Sequence, residues 1–146
     1  MQCFYSIESP TLEKYIHEAR GIAKSVMIRK LVNDIARDLY KIITSHKDLD
    51  PVYDKDFNTN FDGYVDPIYE VVYNHNIPWN WEASTDDMKE LARKYPEIEF
   101  VLCTAVADTK IEYREFFLGD KCHLSNSFLL FEKSPDWSMT EYDDEI

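Results

Sequence analysis

Glycine is scarce in this chain and never clustered: the 146 residues include only Gly21, Gly63 and Gly119. Loops that hold a phosphate need closely spaced glycines, because their backbone N–H groups must approach the phosphate oxygens. A nucleotide site of that type is therefore excluded. The cysteines and histidines never lie two to five residues from one another, which also excludes the usual zinc spacings. We expect no catalytic residue, no cofactor and no metal, and hence a protein that is not an enzyme.

Long apolar runs are absent as well. No stretch approaches the roughly eighteen uninterrupted apolar residues that a membrane span needs. The first eight residues carry neither a basic region nor a small-residue cleavage site, so we expect no secretory signal and a cytoplasmic protein. The cysteines Cys3, Cys103 and Cys122 are odd in number and far apart, and a reducing compartment predicts that all three are free thiols.

Negative charge is the strongest compositional signal, and it is unevenly distributed. The net charge is −12, with eight Lys and Arg against five Asp and Glu in residues 1–47, and eight against twenty-three in residues 48–146. The second part therefore carries −15. Such a field repels nucleic acid and attracts basic surfaces. We expect a basic protein surface as the partner, without direct contact with nucleic acid or membrane. The alternative is that the acidity only keeps the protein soluble.

The first part of the chain predicts a strand followed by helix. Cys3, Tyr5 and Ile7 lie on one side and Gln2, Phe4 and Ser6 on the other, as in a strand. Ser9-Pro10 is typical of a helix start, because serine caps the first turn and proline fits the first helical position. Apolar residues then recur every three or four positions from Leu12 to Ile42. This stripe predicts either one long helix to about residue 45 or two helices that meet near Gly21.

The second part predicts alternating elements after a long loop at residues 46–67, which is rich in Asp, Asn, Pro and Gly. Ser84 with Asp87 resembles a capping pair before a helix that ends near Pro96. Alternating or β-branched runs predict strands at residues 68–73, 98–107, 111–118 and 127–132.

These elements indicate an α+β fold. We expect a mixed or antiparallel sheet that is covered on one face by the long N-terminal helix, or two helices, and by a second helix. Residues 1–134 are expected to form a single domain, and residues 135–146, which contain five acidic and no basic side chains, an acidic C-terminal tail.

The segment from Trp79 to Phe100 carries a family resemblance. The sequence LARKYPEIEF at residues 91–100, followed by two more strands, resembles the ferredoxin-like region of the Api92-like proteins of phages and plasmids. The resemblance covers the second half of the chain. It implies a ferredoxin-like βαβ unit and an origin in a mobile element, and it supplies no catalytic residues. The long basic helix before it departs from that family.

Residues 58–65 partly match a calcium-binding loop, with oxygen-bearing side chains at alternate positions and Gly63 at the sharp turn. The first ligand is Asn58 where Asp is usual, and the twelfth position is Tyr69, with Glu70 one residue late. We therefore interpret the segment as an Asx-rich turn and not as a calcium site.

The function that these observations favour is macromolecular binding. Spaced carboxylates can replace phosphates in a basic groove of a nucleic-acid-handling enzyme. Together with the mobile-element origin that the resemblance implies, they lead us to expect an inhibitor of a host defence nuclease, of anti-CRISPR or anti-restriction type. The alternatives are a homodimeric interaction protein that uses the long amphipathic helix and, third, an enzyme with a dispersed site. A second exposed apolar face on the helix would favour the dimer. The partner-binding residues that we expect are Asp50, Asp54, Asp56, Asp62, Asp66, Tyr64, Trp79 and Trp81.

Overall fold

The computed structural model describes residues 2–46, 67–73, 76–125 and Trp137, and in them the chain forms an α+β fold. A four-stranded antiparallel sheet is accompanied by four helices. In chain order the elements are β1 (Cys3–Glu8), α1 (Pro10–Glu18), α2 (Ile22–Thr44), α3 (Pro67–Val72), α4 (Ser84–Lys94), β2 (Phe100–Val106), β3 (Glu112–Leu118) and β4 (Lys121–Ser125).

The strands lie in the sheet in the order of the sequence, β1-β2-β3-β4, and every neighbouring pair is antiparallel. The four helices connect β1 to β2, and Cys3 pairs with Val106 across that long connection. A βαβ unit needs two parallel strands joined through a helix. Because β1 and β2 are antiparallel, residues 2–46, 67–73 and 76–125 contain no such unit, contrary to what the family resemblance implied.

The two faces of the sheet have different surroundings. Tyr5, Leu102 and Phe117 alternate onto the inner face, where they join the core with α2, α3 and α4. On the outer face Val101 and Phe116 are buried, whereas Phe4 is exposed. Antiparallel strands tolerate such a half-solvated face, and the alternation of Cys3, Tyr5 and Ile7 in β1 is confirmed.

The N-terminal helices follow the two-helix alternative. The Ser9 hydroxyl accepts a hydrogen bond from the Leu12 N–H at 3.2 Å, and Pro10 occupies the first turn, as the sequence predicts. Helix α1 ends at Glu18, and α2 begins after Gly21, whose φ of 85° lies in the region that side chains disfavour. This backbone conformation separates the two helices.

Two local predictions are wrong. Residues 68–73 were expected as a strand, but α3 occupies Pro67–Val72, and Ile68, Val71 and Val72 are buried at helical spacing. Short apolar runs fit both periodicities, and packing against α2 and β1 decides in favour of helix. Ser84 was expected to cap α4, but it is the first helical residue, and the capping position holds Ala83 without a side-chain bond.

The C-terminal segment has one described residue, Trp137, which belongs to the predicted acidic tail. Its indole N–H donates to the Glu99 carboxylate, and its carbonyl accepts from the Lys121 amine at 3.2 Å. The tail therefore contacts the domain at this position. The predicted strand at residues 127–132 lies outside the described residues, and β4 precedes it. Within the described part of the chain, no helix has the length and apolarity needed to cross a membrane.

Candidate interaction surface

Helix α2 is divided between a buried and an exposed half. In its C-terminal half Ile35, Leu39 and Ile42 pack in the core. In its N-terminal half Ile22 is 85% exposed, Val26 55% and Met27 70%. Large apolar side chains are normally covered, so this half of the helix extends beyond the body that the sheet and the other helices form.

The exposed apolar residues of α2 form a second stripe. Ile22, Ala23, Val26 and Met27 are spaced i, i+1, i+4 and i+5, which places them on one face of the helix. The core residue Ile35 lies about 180° around the helix axis from Val26, since each residue turns the chain by about 100°. Ile22 and Val26 therefore face away from the core of their own chain, whereas Met27, about 80° from Ile35, lies nearer to the core side. Ile16 of α1 is also exposed, at 59%.

The charge of this region is opposite to that of the remainder of the chain. We define the arm as residues 10–30, which are α1 and the N-terminal half of α2. The arm contains five Lys and Arg against two Glu, a net charge of +3, whereas residues 48–146 carry −15. Lys30 lies one turn after Val26 and Lys24 is also exposed. Apolar side chains bordered by cations favour a partner that has apolar side chains bordered by carboxylates.

A second cluster joins α2, the segment before α4 and α4 itself. The Asp87 carboxylate is 4% exposed and accepts two hydrogen bonds, from the Trp81 indole N–H and from the His46 ring, both at 2.7 Å. Burial raises the pKa of Asp87, although the two bonds oppose this shift. The bond to Asp87 raises the pKa of His46. We name Trp81, Asp87 and His46 the Asp87 cluster.

The chemistry available to the Asp87 cluster is that of an oriented imidazole. A buried carboxylate that binds one ring nitrogen fixes the ring and favours its protonated form. Catalysis would also need a nucleophile or a bound substrate beside the ring. In the described ranges no group of three or more His, Cys, Asp or Glu side chains is arranged to hold a metal ion. The contacts that the structure gives make the cluster a link between helices.

A further buried carboxylate lies beneath α4. Glu115 on β3 accepts a hydrogen bond from the Thr85 hydroxyl at 2.6 Å, and burial raises its pKa. The Thr104 hydroxyl on the neighbouring strand is buried without a hydrogen bond of normal geometry. Burial also raises the pKa of the Cys103 thiol, so this cysteine is not activated as a nucleophile. The bond between Thr85 and Glu115 attaches α4 to the sheet.

The residues that the sequence predicted for partner binding divide into two sets. Trp79 and Trp81 are 1% and 3% exposed, so the expectation that they anchor a partner is wrong for this conformation. Their rings stack with centroids 5.7 Å apart, and Tyr5 packs edge-on against both. They are core residues. The predicted residues Asp50, Asp54, Asp56, Asp62, Asp66 and Tyr64 lie outside the described residues, as does the calcium-like segment.

The sequence analysis located neither the exposed stripe nor the Asp87 cluster. It placed Ile22 and Val26 in one stripe with Ile35 and left open whether that stripe is buried, although their offset from Ile35 could have been found on a helical wheel. His46 and Asp87 are 41 residues apart, and no spacing signals their contact.

Comparison with protein-family models, with curated proteins and with solved structures gave no match.

Proposed function

We propose that this protein acts by binding another protein through the arm, and that the partner surface is apolar and bordered by carboxylates. One observation carries the proposal: Ile22, Val26 and Met27 of α2 are more than half exposed, and Ile22 and Val26 lie on the side of the helix opposite to the core. Exposed apolar patches on soluble domains mark interaction sites, because leaving them in water is unfavourable.

The positive charge of the arm supports the choice of partner. Nucleic acid would be attracted by the arm's charge of +3 but repelled by the −15 of residues 48–146, and its phosphates do not cover apolar side chains. An apolar protein surface bordered by Asp and Glu satisfies both components of the arm. The proposed role is that of an interaction protein without catalytic activity.

The second candidate is the charge-mimic inhibitor that the sequence analysis favoured. Its support is the −15 charge of residues 48–146 and the spacing of Asp50, Asp54, Asp56, Asp62 and Asp66. In this proposal the chain shares an origin in a mobile element with the Api92-like proteins, its carboxylates replace phosphates, and the partner is a basic groove of a nucleic-acid-handling enzyme.

The two candidates are separated by comparing three tagged forms of the chain expressed in cells. One is unchanged, an arm variant carries Ile22→Gln, Val26→Gln and Met27→Gln, and an acid variant has the five aspartates replaced by Asn. Quantitative mass spectrometry measures what each form captures. We expect a partner whose captured amount falls at least about tenfold with the arm variant and is unchanged with the acid variant. A tenfold fall corresponds to a loss of about 1.4 kcal/mol of binding free energy.

The arm variant should fold like the unchanged protein, because all three substitutions lie at exposed helical positions and should change stability by less than about 1 kcal/mol. Circular dichroism checks this. A partner that is lost with the acid variant and kept with the arm variant would replace the arm proposal by the charge-mimic proposal.

A further inference from the structure

Two polar links join α2 and the turn after it to α4, one near each end of α4. At the N-terminal end of α4, the His46 ring bonds to the Asp87 carboxylate at 2.7 Å. At the C-terminal end, the Tyr95 hydroxyl donates to the Asp38 carboxylate, and the Lys94 amine lies 4.0 Å from the same group. Asp38 and His46 are eight residues apart, which is about 12 Å along a helix axis. The two helices are therefore tied at two separate points.

The turn that carries His46 has one side-chain hydrogen bond to another element. Residues 44–46, which we name the terminal turn, are exposed and follow the buried Ile43. The Thr44 and Ser45 hydroxyls bond to backbone carbonyls of α2 itself. Among the side-chain hydrogen bonds of the described ranges, that of His46 alone connects the terminal turn to α4. The attachment of this turn thus depends on one imidazole.

The two links respond differently to pH. The titratable groups of the described part that act on the His46 ring are Asp87 and Glu90 of α4, whereas the Trp81 indole on the other oxygen of Asp87 is uncharged. The bond to Asp87 and, less strongly, the charge of Glu90 raise the pKa of His46. Burial and the bond to Asp38 raise the pKa of the Tyr95 hydroxyl, which therefore keeps its proton throughout the neutral range. Of the two donors, only His46 gains or loses a charge near neutral pH.

We propose that the His46–Asp87 link is a pH-sensitive joint: a protonated His46 fixes the terminal turn to α4, and loss of that proton releases the turn while the Asp38–Tyr95 link continues to hold the helices. This inference is independent of the proposed function, because neither link includes the arm. A neutral imidazole can still donate to Asp87, but a bond without the positive charge is weaker, so the turn opens to water more often.

The direction of the effect follows from the two protonation states. The folded pKa of His46 is raised, so the joint is closed below the ordinary histidine value of about 6.5 and opens as pH rises through the folded value. Ile42 and Ile43 are buried beside Leu39 and do not titrate, so we expect α2 to keep its core contacts when the turn opens. The change is local and takes place within the native protein.

The backbone amides of the terminal turn report on the joint. The Ser45 N–H bonds to the Lys41 carbonyl at 3.1 Å and the His46 N–H to the Ile43 carbonyl at 3.3 Å. NMR measures the exchange of both amides with water, and dividing by the rate of an unstructured chain at the same pH gives their protection. We expect protection at least about threefold lower near about pH 8.5 than near about pH 6. The Tyr95 N–H, which bonds to the Leu91 carbonyl, lies at the other link and should keep its protection.

Three variants assign the response to its group. His46→Gln keeps a side-chain N–H donor but does not titrate, so the protection of Ser45 should be equal at the two pH values. Glu90→Gln removes one of the two carboxylates that favour the charged ring, so the joint should open at lower pH. Tyr95→Phe is the matched control at the other link, and it should leave the pH response of Ser45 intact.

Equal protection of Ser45 and of residue 46 at the two pH values in the unchanged protein would overturn the inference. A pH response that persists in His46→Gln would also overturn it, because another titratable group would then be responsible. A response that extends equally to the amides of Leu39 and Leu91 would indicate unfolding of both helices and not the opening of a joint.

Discussion

Replacing Asp87 by Ala tests whether the Asp87 cluster holds α4 in place. The carboxylate accepts two N–H donors at 2.7 Å, and hydrogen bonds to a charged group contribute about 1.5–3 kcal/mol each. The bond to His46 counts for less, because the imidazole is 43% exposed and solvent screens it. Removing the carboxylate also removes the burial cost that raises its pKa. The balance is a loss of about 3 kcal/mol of unfolding free energy, mainly from the buried Trp81 N–H that loses its acceptor.

The neighbouring Asp86 provides the control for this substitution. Asp86→Ala removes an exposed carboxylate from the same first turn of α4 and should cost less than about 1 kcal/mol. Urea unfolding followed by circular dichroism measures both variants. If Asp87→Ala lies within about 0.5 kcal/mol of Asp86→Ala, the buried bonds contribute no stability and the reasoning fails.

The pH dependence of the same variants isolates the His46 bond. The folded pKa of His46 is raised, so the stability from this bond is fully present below the unfolded value and is lost as pH rises through the folded value. The difference in unfolding free energy between the unchanged protein and His46→Gln should therefore be larger near about pH 6 than near about pH 8.5. A difference that does not change with pH would show that protonated His46 makes no stabilising contact.

Three further predictions concern Glu115, Gly21 and the cysteines. Glu115→Gln keeps an oxygen for the Thr85 hydroxyl and removes a buried charge. Because burial raises the pKa of Glu115, the variant should be more stable than the unchanged protein above that pKa and equally stable at about pH 3.5. Thermal unfolding at a pH above that pKa and at the lower pH would show this. Gly21→Ala meets no atom within 4 Å but forces a side chain into φ of 85°, so it should lose about 1–3 kcal/mol; an unchanged stability in urea would contradict the proposed break between α1 and α2. Thiol titration of the unfolded, unreduced protein should find three free thiols. The edge strands that carry Cys3 and Cys122 are about 14 Å apart at the usual strand spacing, and Cys103 faces the other side of the sheet. A count of one free thiol would refute this.

Much of the fold could be predicted because local chemistry agrees with it. The Ser9-Pro10 start, the alternation of β1 and the helix before Pro96 all depend on neighbouring residues, and the structure confirms them. Residues 68–73 failed because a short apolar run fits strand and helix equally, and its partners α2 and β1 are distant in sequence. Strand order could not be predicted for a similar reason, since no local signal states that β1 pairs with β2.

The surfaces were less predictable than the fold. A helical apolar stripe indicates that a face is covered, but not by which molecule, so the sequence left open whether Ile22 and Val26 lie in the core with Ile35 or are exposed. Aromatic residues in an acidic stretch suit both a core and an interface, and Trp79 and Trp81 proved to be core residues. The distinction depends on where each side chain lies relative to the whole body.

The pairing of β1 with β2 has a consequence for folding during synthesis. β2, β3 and β4 lie within residues 100–125 and can form from neighbouring hairpins soon after they leave the ribosome. β1 leaves the ribosome before β2, and Cys3 of β1 pairs with Val106 of β2. At about 5–20 residues per second, β1 therefore remains unpaired for roughly 5–20 s. During that time Cys3, Tyr5 and Ile7 expose an apolar strand edge that can aggregate or attract chaperones. A circular permutant that places β1 after β4 would remove this delay, because β1 would then be synthesised after its partner strand β2.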